Sequence, residues 1–147
     1  MSDEMKTILL VEDNDDDVAL TLRAFKRSHL MTPIVVVRDG VEALDFLFAR
    51  GSYQDRIDGP PTLVILDLKL PKLDGLGVLK AMRADPRTAL LPTVILTSSK
   101  EEQDVIAGYS LGANSYVRKP VDFAEFLEAV KVLGIYWLAL NQVAPPQ

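Results

Sequence analysis

Several residue types that would support other functions are missing or rare in this chain of 147 residues. It contains no cysteine, which excludes disulfides, thiolate catalysis and cysteine-ligated metal centres. Its one histidine, His29, excludes a site built from several histidines, and we assign this residue no role. No apolar run approaches the roughly 20 residues that a transmembrane helix needs, and the N-terminus lacks the features of a signal peptide. We therefore expect no membrane contact and a cytoplasmic location.

Basic residues are too scattered to form a typical nucleic-acid surface. The formal net charge is −5, and the densest run of charge is acidic: Glu12, Asp13, Asp15, Asp16 and Asp17. Proteins that bind nucleic acids by electrostatics usually carry a clustered basic patch, so we expect no nucleic-acid partner.

Short apolar runs alternate along the chain with amphipathic stretches of helical spacing. The runs predict strands at 7–11, 34–37, 63–67, 93–97 and 115–118. Helices are predicted at about 15–30, 41–48, 74–85, 101–111 and 122–140. This alternation predicts an α/β fold with a parallel sheet and helices on both faces. We expect a single domain over residues 1–147, with its core at 6–141 and a short flexible tail at 142–147.

Side chains suited to phosphate chemistry stand at the ends of the predicted strands. Ligands of such sheets bind outside the carboxyl ends of the strands, where the sequence places Glu12, Asp13, Asp67, Thr97 and Lys119. Three carboxylates held together repel one another unless a cation relieves the charge. Mg²⁺ (or Mn²⁺) prefers oxygen ligands, so we predict Asp13 and Asp67 as direct ligands and Glu12 as a ligand through water.

Asp67, at the end of a buried strand, is a candidate nucleophile that would form an aspartyl-phosphate. Lys119 would neutralise one phosphate oxygen, and Thr97 would donate a hydrogen bond to another. Phosphoryl transfer requires positioning and charge neutralisation more than covalent chemistry from the protein. No general base is needed if the donor is a phosphohistidine.

These residues and their spacing resemble response-regulator receiver domains over nearly the whole chain. The resemblance rests on Val11-Glu12-Asp13-Asn14, Leu66–Pro71 with Asp74-Gly75, Leu96-Thr97-Ser98 and Tyr116–Pro120. The long loop with Tyr53 and Arg56, and residues 121–123 and 134–141, are most similar to stand-alone regulators of phytochromes. The resemblance implies a flavodoxin-like, doubly wound five-stranded sheet in the order 2-1-3-4-5, which a chemotaxis receiver also has.

The resemblance also implies specific roles. Asp67 would be the phosphoacceptor in a two-component phosphorelay, and the donor would be a histidine kinase of phytochrome type. The backbone carbonyl of Lys69 would be a metal ligand, although the subfamily usually has asparagine there, so a cation now stands beside the site. Pro120 would follow a cis peptide that directs Lys119 into the site. Thr97 and Tyr116 would form the switch, although Tyr116 is alternatively only a half-buried strand aromatic.

The predicted last helix carries more apolar surface than packing on one sheet requires. Beyond the stripe expected to face the sheet, it has a second stripe of Val132, Ile135, Tyr136 and Ala139. Exposed apolar patches tend to mark association. Together with the resemblance to phytochrome regulators, which implies dimerisation at this place, the stripe predicts a homodimer through the fourth helix, fifth strand and fifth helix. The alternative is that this stripe packs back onto its own domain.

We expect a signalling protein rather than an enzyme, with only intrinsic phosphotransfer and slow autodephosphorylation. A haloacid-dehalogenase-like phosphatase also uses an aspartate nucleophile and magnesium. That family carries its nucleophile on the first strand with a second aspartate two residues on, whereas Asp67 is followed by Lys69. A pseudo-receiver that docks without phosphorylation is the third alternative, and the complete set of strand-end residues argues against it.

Overall fold

The chain folds as strands that alternate with helices. The computed structural model describes residues 7–27, 32–56, 59–97, 102–113 and 115–118, together with 124, 127, 128 and 131. The strands are β1 (Ile8–Val11), β2 (Ile34–Val37), β3 (Leu63–Leu66), β4 (Thr93–Thr97) and β5 (Ser115–Arg118). The helices are α1 (Asp15–Arg27), α2 (Gly40–Leu47), α3 (Gly75–Ala84) and α4 (Glu102–Ser110), with a 3₁₀ turn at Gly51–Tyr53. Most of the predicted last helix lies outside the described residues.

The strands form one parallel sheet in the order β2-β1-β3-β4-β5. Val11 is paired with Val37 on one side and with Leu66 on the other, so the first three strands end at the same level. Thr97 is paired with Arg118 at the same end of β4 and β5. The predicted parallel α/β sheet is confirmed, and the carboxyl ends of its strands meet along one edge.

Strands β1 to β4 contribute alternate side chains to two cores on opposite faces of the sheet. Leu9 and Leu66 pack with α2 and α3 on one face, whereas Ile8 and Leu10 pack with Phe25 of α1 on the other. Burial on both faces explains why the strands read as uninterrupted apolar runs. Each leucine or isoleucine buried in this way contributes roughly 1.5–3 kcal/mol relative to an exposed one.

Side-chain caps define where three of the helices begin. Asn14 accepts from the N–H of Asp17 at 3.0 Å, Asp39 from that of Glu42 at 2.7 Å, and Asp74 from that of Gly77 at 2.8 Å. Each cap satisfies one of the N–H groups that a helix leaves without an internal partner. Within the described part of the chain, no helix combines the length and apolar character needed to cross a membrane.

Candidate functional site

Three carboxylates meet at the carboxyl edge of the sheet. Glu12 and Asp13 directly follow β1, and Asp67 directly follows the neighbouring strand β3. One carboxylate oxygen from each of the three lies within 4.8 Å of the others. Glu12 and Asp67 are buried, at 2% and 6% exposure, whereas Asp13 is exposed to solvent. The cluster therefore combines two enclosed carboxylates with one that is accessible from outside.

Main-chain hydrogen bonds hold the two acidic loops in place. The N–H of Glu12 donates to the carbonyl of Val37 at 3.0 Å, and that of Asp67 donates to the carbonyl of Val11 at 3.1 Å. The sheet pairing thus continues one residue beyond β1 and β3. The N–H of Lys69 also donates to Oδ1 of Asp67 at 3.2 Å, which orients this carboxylate from within its own loop.

The donor set of this cluster fits a hard divalent cation. Mg²⁺ and Mn²⁺ bind carboxylate, carbonyl and water oxygens, and the three predicted carboxylates are close enough to share one ion. Glu12 and Asp67 are buried close to each other, so their negative charges are concentrated where little water can solvate them. A bound cation would relieve the resulting repulsion. The chemistry of the residues therefore agrees with the predicted metal site.

Thr97 and Tyr116 lie on β4 and β5, the two strands beyond β3 in the sheet. Thr97 ends β4, which neighbours β3, and its side chain is completely buried. Tyr116 is paired with Ile95 in the sheet, so its backbone lies one strand further from Asp67 than Thr97 does. The remaining predicted site residues lie outside the described part of the chain: Lys119, Pro120, Val132, Ile135, Tyr136 and Ala139.

A cleft of about 360 Å³ opens beside the acidic cluster. Apolar and charged side chains line it together: Asp13, Leu68, Lys69, Leu70, Pro71, Asp74, Leu76 and Asp104. Lys69 is exposed, and the three other charged residues that line the cleft are aspartates. Asp74 caps α3 by accepting the N–H of Gly77.

Two ion pairs near this edge have no clear local signal in the sequence. Arg38, one residue after β2, pairs with Asp15 in the first turn of α1. Lys72, in the loop after β3, pairs with Asp39 at 3.6 Å. The spacing from Asp39 to Glu42 is a recognisable helix-start pattern. Nothing in the local sequence marks Lys72 or Arg38 as partners of these carboxylates.

Known proteins are similar to this chain in sequence and fold. Residues 8–131 match the response regulator receiver domain family. The response regulator Rcp1 of Synechocystis sp. is 38% identical over 141 residues, which cover 94% of this chain and 95% of Rcp1. The crystal structure of the Mn²⁺-bound form of Rcp1 superposes with a TM-score of 0.85 at 36% identity, over 95% of this chain and 99% of that one.

Two further solved structures are phytochrome response regulators. The phosphorylated cyanobacterial phytochrome response regulator RcpA has a TM-score of 0.86 at 36% identity, and the bacteriophytochrome response regulator AtBRR has 0.77 at 50% identity. Both comparisons cover 95% of this chain and 99% of the other. The matched family is one of signalling proteins rather than enzymes. With its acidic cluster at the carboxyl edge of a parallel sheet, the chain belongs to the response regulator receiver domains, which act in phosphorylation-based two-component signalling.

Proposed function

We propose that Asp67 accepts a phosphoryl group from a phosphohistidine of a histidine kinase. One observation carries this proposal: Asp67 is enclosed at the end of β3, within 4.8 Å of carboxylate oxygens from Glu12 and Asp13. Of the three, Asp67 stands on the strand next to Thr97, whose hydroxyl can donate a hydrogen bond to a phosphoryl oxygen. Asp67 therefore has both the charge and the neighbours that a phosphoacceptor needs.

In the proposed reaction, a carboxylate oxygen of Asp67 attacks the phosphorus atom of the donor. The bond between phosphorus and the imidazole nitrogen breaks, and its electron pair remains on that nitrogen. The hydrogen bond from the N–H of Lys69 to Oδ1 of Asp67 restrains the carboxylate before the donor arrives. Thr97 and Lys119 are proposed to bind the phosphoryl oxygens, in keeping with a reaction that depends mainly on positioning and charge.

The proposed cofactor is Mg²⁺ or Mn²⁺. Asp13, Asp67 and the backbone carbonyl of Lys69 would hold the ion directly, and Glu12 would hold it through water. The bound ion supplies positive charge that lets a phosphate approach the carboxylates. The Mn²⁺-bound form of the relative Rcp1 and the donor set of this chain support the assignment.

The proposed phosphodonor is a histidine kinase of the phytochrome type. This inference comes from similarity to proteins that are named as phytochrome response regulators, at up to 50% identity among those compared. The proposed domain is a single flavodoxin-like receiver over residues 1–147, with its core at 6–141. The family match supports a receiver over residues 8–131, and neither a phosphatase nor a docking-only function has comparable support.

The proposed output is a change in dimerisation or in docking of a partner protein. The dimer face would include α4, β5 and the predicted last helix with Val132, Ile135, Tyr136 and Ala139. Two apolar side chains of α4, Ile106 and Tyr109, support this face because they are 58% and 50% exposed. Thr97 and Tyr116, on neighbouring strands, would connect phosphorylation of Asp67 to this surface as the switch.

Intact-mass measurement tests the phosphoacceptor. The purified chain is incubated with acetyl phosphate and Mg²⁺, and it should gain the mass of one phosphoryl group. Asp67→Asn should gain none, whereas Asp16→Asn, which changes an exposed residue of the first turn of α1, should be labelled like the parent. Equal labelling of Asp67→Asn and the parent would show that the phosphoryl group is carried elsewhere.

A further inference from the structure

The loop from Asp67 to Asp74 contains a strained turn at Lys72. This residue has a φ angle of +68°, and the N–H of Leu73 donates to the carbonyl of Pro71 at 2.8 Å. A bond from residue i+2 back to residue i, around a residue with positive φ, is typical of the rare, strained form of the γ-turn. A lysine keeps such a conformation only where its surroundings hold it there.

The beginning of α2 supplies the contacts that hold this turn. Nζ of Lys72 lies 3.6 Å from Oδ2 of Asp39, and the N–H of Gly40 donates to the carbonyl of Pro71 at 3.4 Å. A Cβ atom at Gly40 would lie only 2.0 Å from the carbonyl oxygen of Leu73, so the turn passes directly over the glycine. Asp39 is itself fixed, because its Oδ1 accepts the N–H of Glu42 at 2.7 Å.

The reactive end of the same loop is held by α3. The N–H of Gly75 donates to the carbonyl of Leu68 at 3.0 Å, and a Cβ atom at Gly75 would lie 2.2 Å from the carbonyl oxygen of Asp67. The segment that carries Asp67 and Lys69 is therefore anchored on α3 at one point and on α2 at the other. The turn at Lys72 determines how the loop spans the two anchors.

We propose that Lys72 is a positioning residue for phosphorylation of Asp67, an inference that rests on the proposed function of that aspartate. The contacts with Asp39 and Gly40 at the beginning of α2 hold the strained turn, and with it the loop, in one conformation. In that conformation, the carboxylate of Asp67 and the backbone of Lys69 hold fixed positions. Because phosphoryl transfer depends on the placement of its groups, a loop free to relax would react more slowly.

Stability alone would favour another residue at position 72. Glycine adopts positive φ without the steric cost that lysine bears. The pair with Asp39 does not offset that cost to any great extent, since Lys72 is 67% exposed and exposed ion pairs contribute little to stability. Strain that is retained in a loop that carries reactive groups is consistent with a role in placing them.

The variant Lys72→Gly separates positioning from stability. It relieves the strain and removes the ammonium group together. The full chain is incubated with acetyl phosphate at saturating Mg²⁺, the initial rate of phosphorylation is followed by intact mass, and the urea midpoint of unfolding is measured in parallel. We expect the rate to fall at least threefold while the urea midpoint stays equal to that of the parent or rises.

Two charge-only variants test the ion pair by itself. Lys72→Gln removes the cation, and Asp39→Asn removes the anion while keeping an oxygen that can cap α2. Each should lower the initial rate about twofold, the change expected when a weak exposed pair is lost, and the double variant should lower it no further. Lys72→Arg should restore the parental rate. Lys80→Gln, a change at an exposed lysine of α3, is the matched control and should leave the rate unchanged.

A parental or higher rate for Lys72→Gly would overturn the positioning role. A lower rate together with a urea midpoint low enough to explain it would also overturn the positioning role. Lys72 would then act only on the fraction of the protein that is folded. Additive effects of Lys72→Gln and Asp39→Asn would overturn the role of the pair. By contrast, a parent chain that gains no phosphoryl group, or one that is labelled as strongly after Asp67→Asn, would overturn the proposed function itself.

Discussion

Tyr53 donates a hydrogen bond from its hydroxyl to Oε2 of Glu42 at 2.7 Å, across 11 positions of the sequence. The ring of Tyr53 packs edge-on against Phe46, with 5.2 Å between the ring centroids. The other carboxylate oxygen of Glu42 accepts the N–H of Arg38 at 2.8 Å. Glu42 thus connects the long loop after α2 to the residue that follows β2, on the same side of the domain as Asp39.

Replacing Tyr53 with phenylalanine should destabilise the domain slightly. The variant Tyr53→Phe keeps the ring contact with Phe46 and removes the hydroxyl that Glu42 binds. Loss of one hydrogen bond costs roughly 0.5–1.5 kcal/mol, and we expect the lower half of that range because Tyr53 is only half-buried. Urea unfolding at pH 7 measures the difference, and a variant more stable than the parent would contradict the role of this bond.

The difference in stability between the parent and Tyr53→Phe should disappear at high pH. Burial, reinforced by the hydrogen bond to Glu42 and by the negative charges of Glu42 and Asp45, raises the pKa of Tyr53 to about 12. The folded state therefore holds this proton more tightly than the unfolded state, whose tyrosine pKa is about 10. The contribution is complete below about pH 10 and is lost as the pH rises towards 12. A difference between parent and Tyr53→Phe that stays constant from pH 8 to 12 would contradict this expectation.

Removing the charge of Asp13 should weaken Mg²⁺ binding much more than removing that of Asp16. Asp13 belongs to the cluster of three carboxylates, whereas Asp16 lies in the exposed first turn of α1. We expect Asp13→Asn to lower the Mg²⁺ affinity at least tenfold, and Asp16→Asn to change it less than twofold because a solvated charge is screened. Calorimetric titration of the two variants measures the contrast, and equal effects would remove Asp13 from the ligand set.

A methyl group at position 75 should displace the loop that carries Asp67. The added Cβ of Gly75→Ala would lie 2.2 Å from the carbonyl oxygen of Asp67 and 2.7 Å from Cα of Leu68. Overpacking of this kind typically costs about 1–3 kcal/mol, and the phosphorylation rate should fall with the displacement. Gly59→Ala is the matched control, because no atom lies within 4 Å of the Cβ it would add. Indistinguishable unfolding curves for the two variants would show that the loop shifts without cost.

A charge on the proposed dimer face should produce a folded monomer. A stable interface buries at least about 1,000 Å² in total. In a two-fold interface, each substitution is present in both protomers and therefore occurs twice. Ile106→Asp on α4 and Tyr136→Asp on the predicted last helix would each place unpaired charges there, at a cost on the order of several kcal/mol if they are desolvated. Sizing by light scattering, before and after phosphorylation, should show a dimer for the parent and a monomer for both variants.

The control for this experiment is Leu90→Asp. Leu90 is 52% exposed and lies in the segment before β4 rather than on the proposed face. This variant should remain a dimer. A parent chain that is monomeric at high concentration in both phosphorylation states would exclude the dimer.

The sequence by itself determined which residues could form the acidic cluster. Parallel strands bring their carboxyl ends to one edge of a sheet, so it was sufficient to locate the ends of the strands that precede Glu12, Asp13 and Asp67. The helix cap at Asp74 was equally local, because it depends on a hydrogen bond across three residues. The order of the strands does not follow from local sequence patterns. Only the resemblance to a family predicted it.

The contacts between separate loops were decided only by the tertiary structure. Asp15 and Arg38 are 23 positions apart, and they meet because β1 and β2 are paired in one particular register. The pair between Lys72 and Asp39 depends in addition on one positive φ angle. A shift of one residue along a strand moves the chain by about 3.3 Å, which is close to the whole length of such a contact. Local patterns therefore predict the elements and their ends, while partners across loops follow from strand register and backbone angles set by long-range packing.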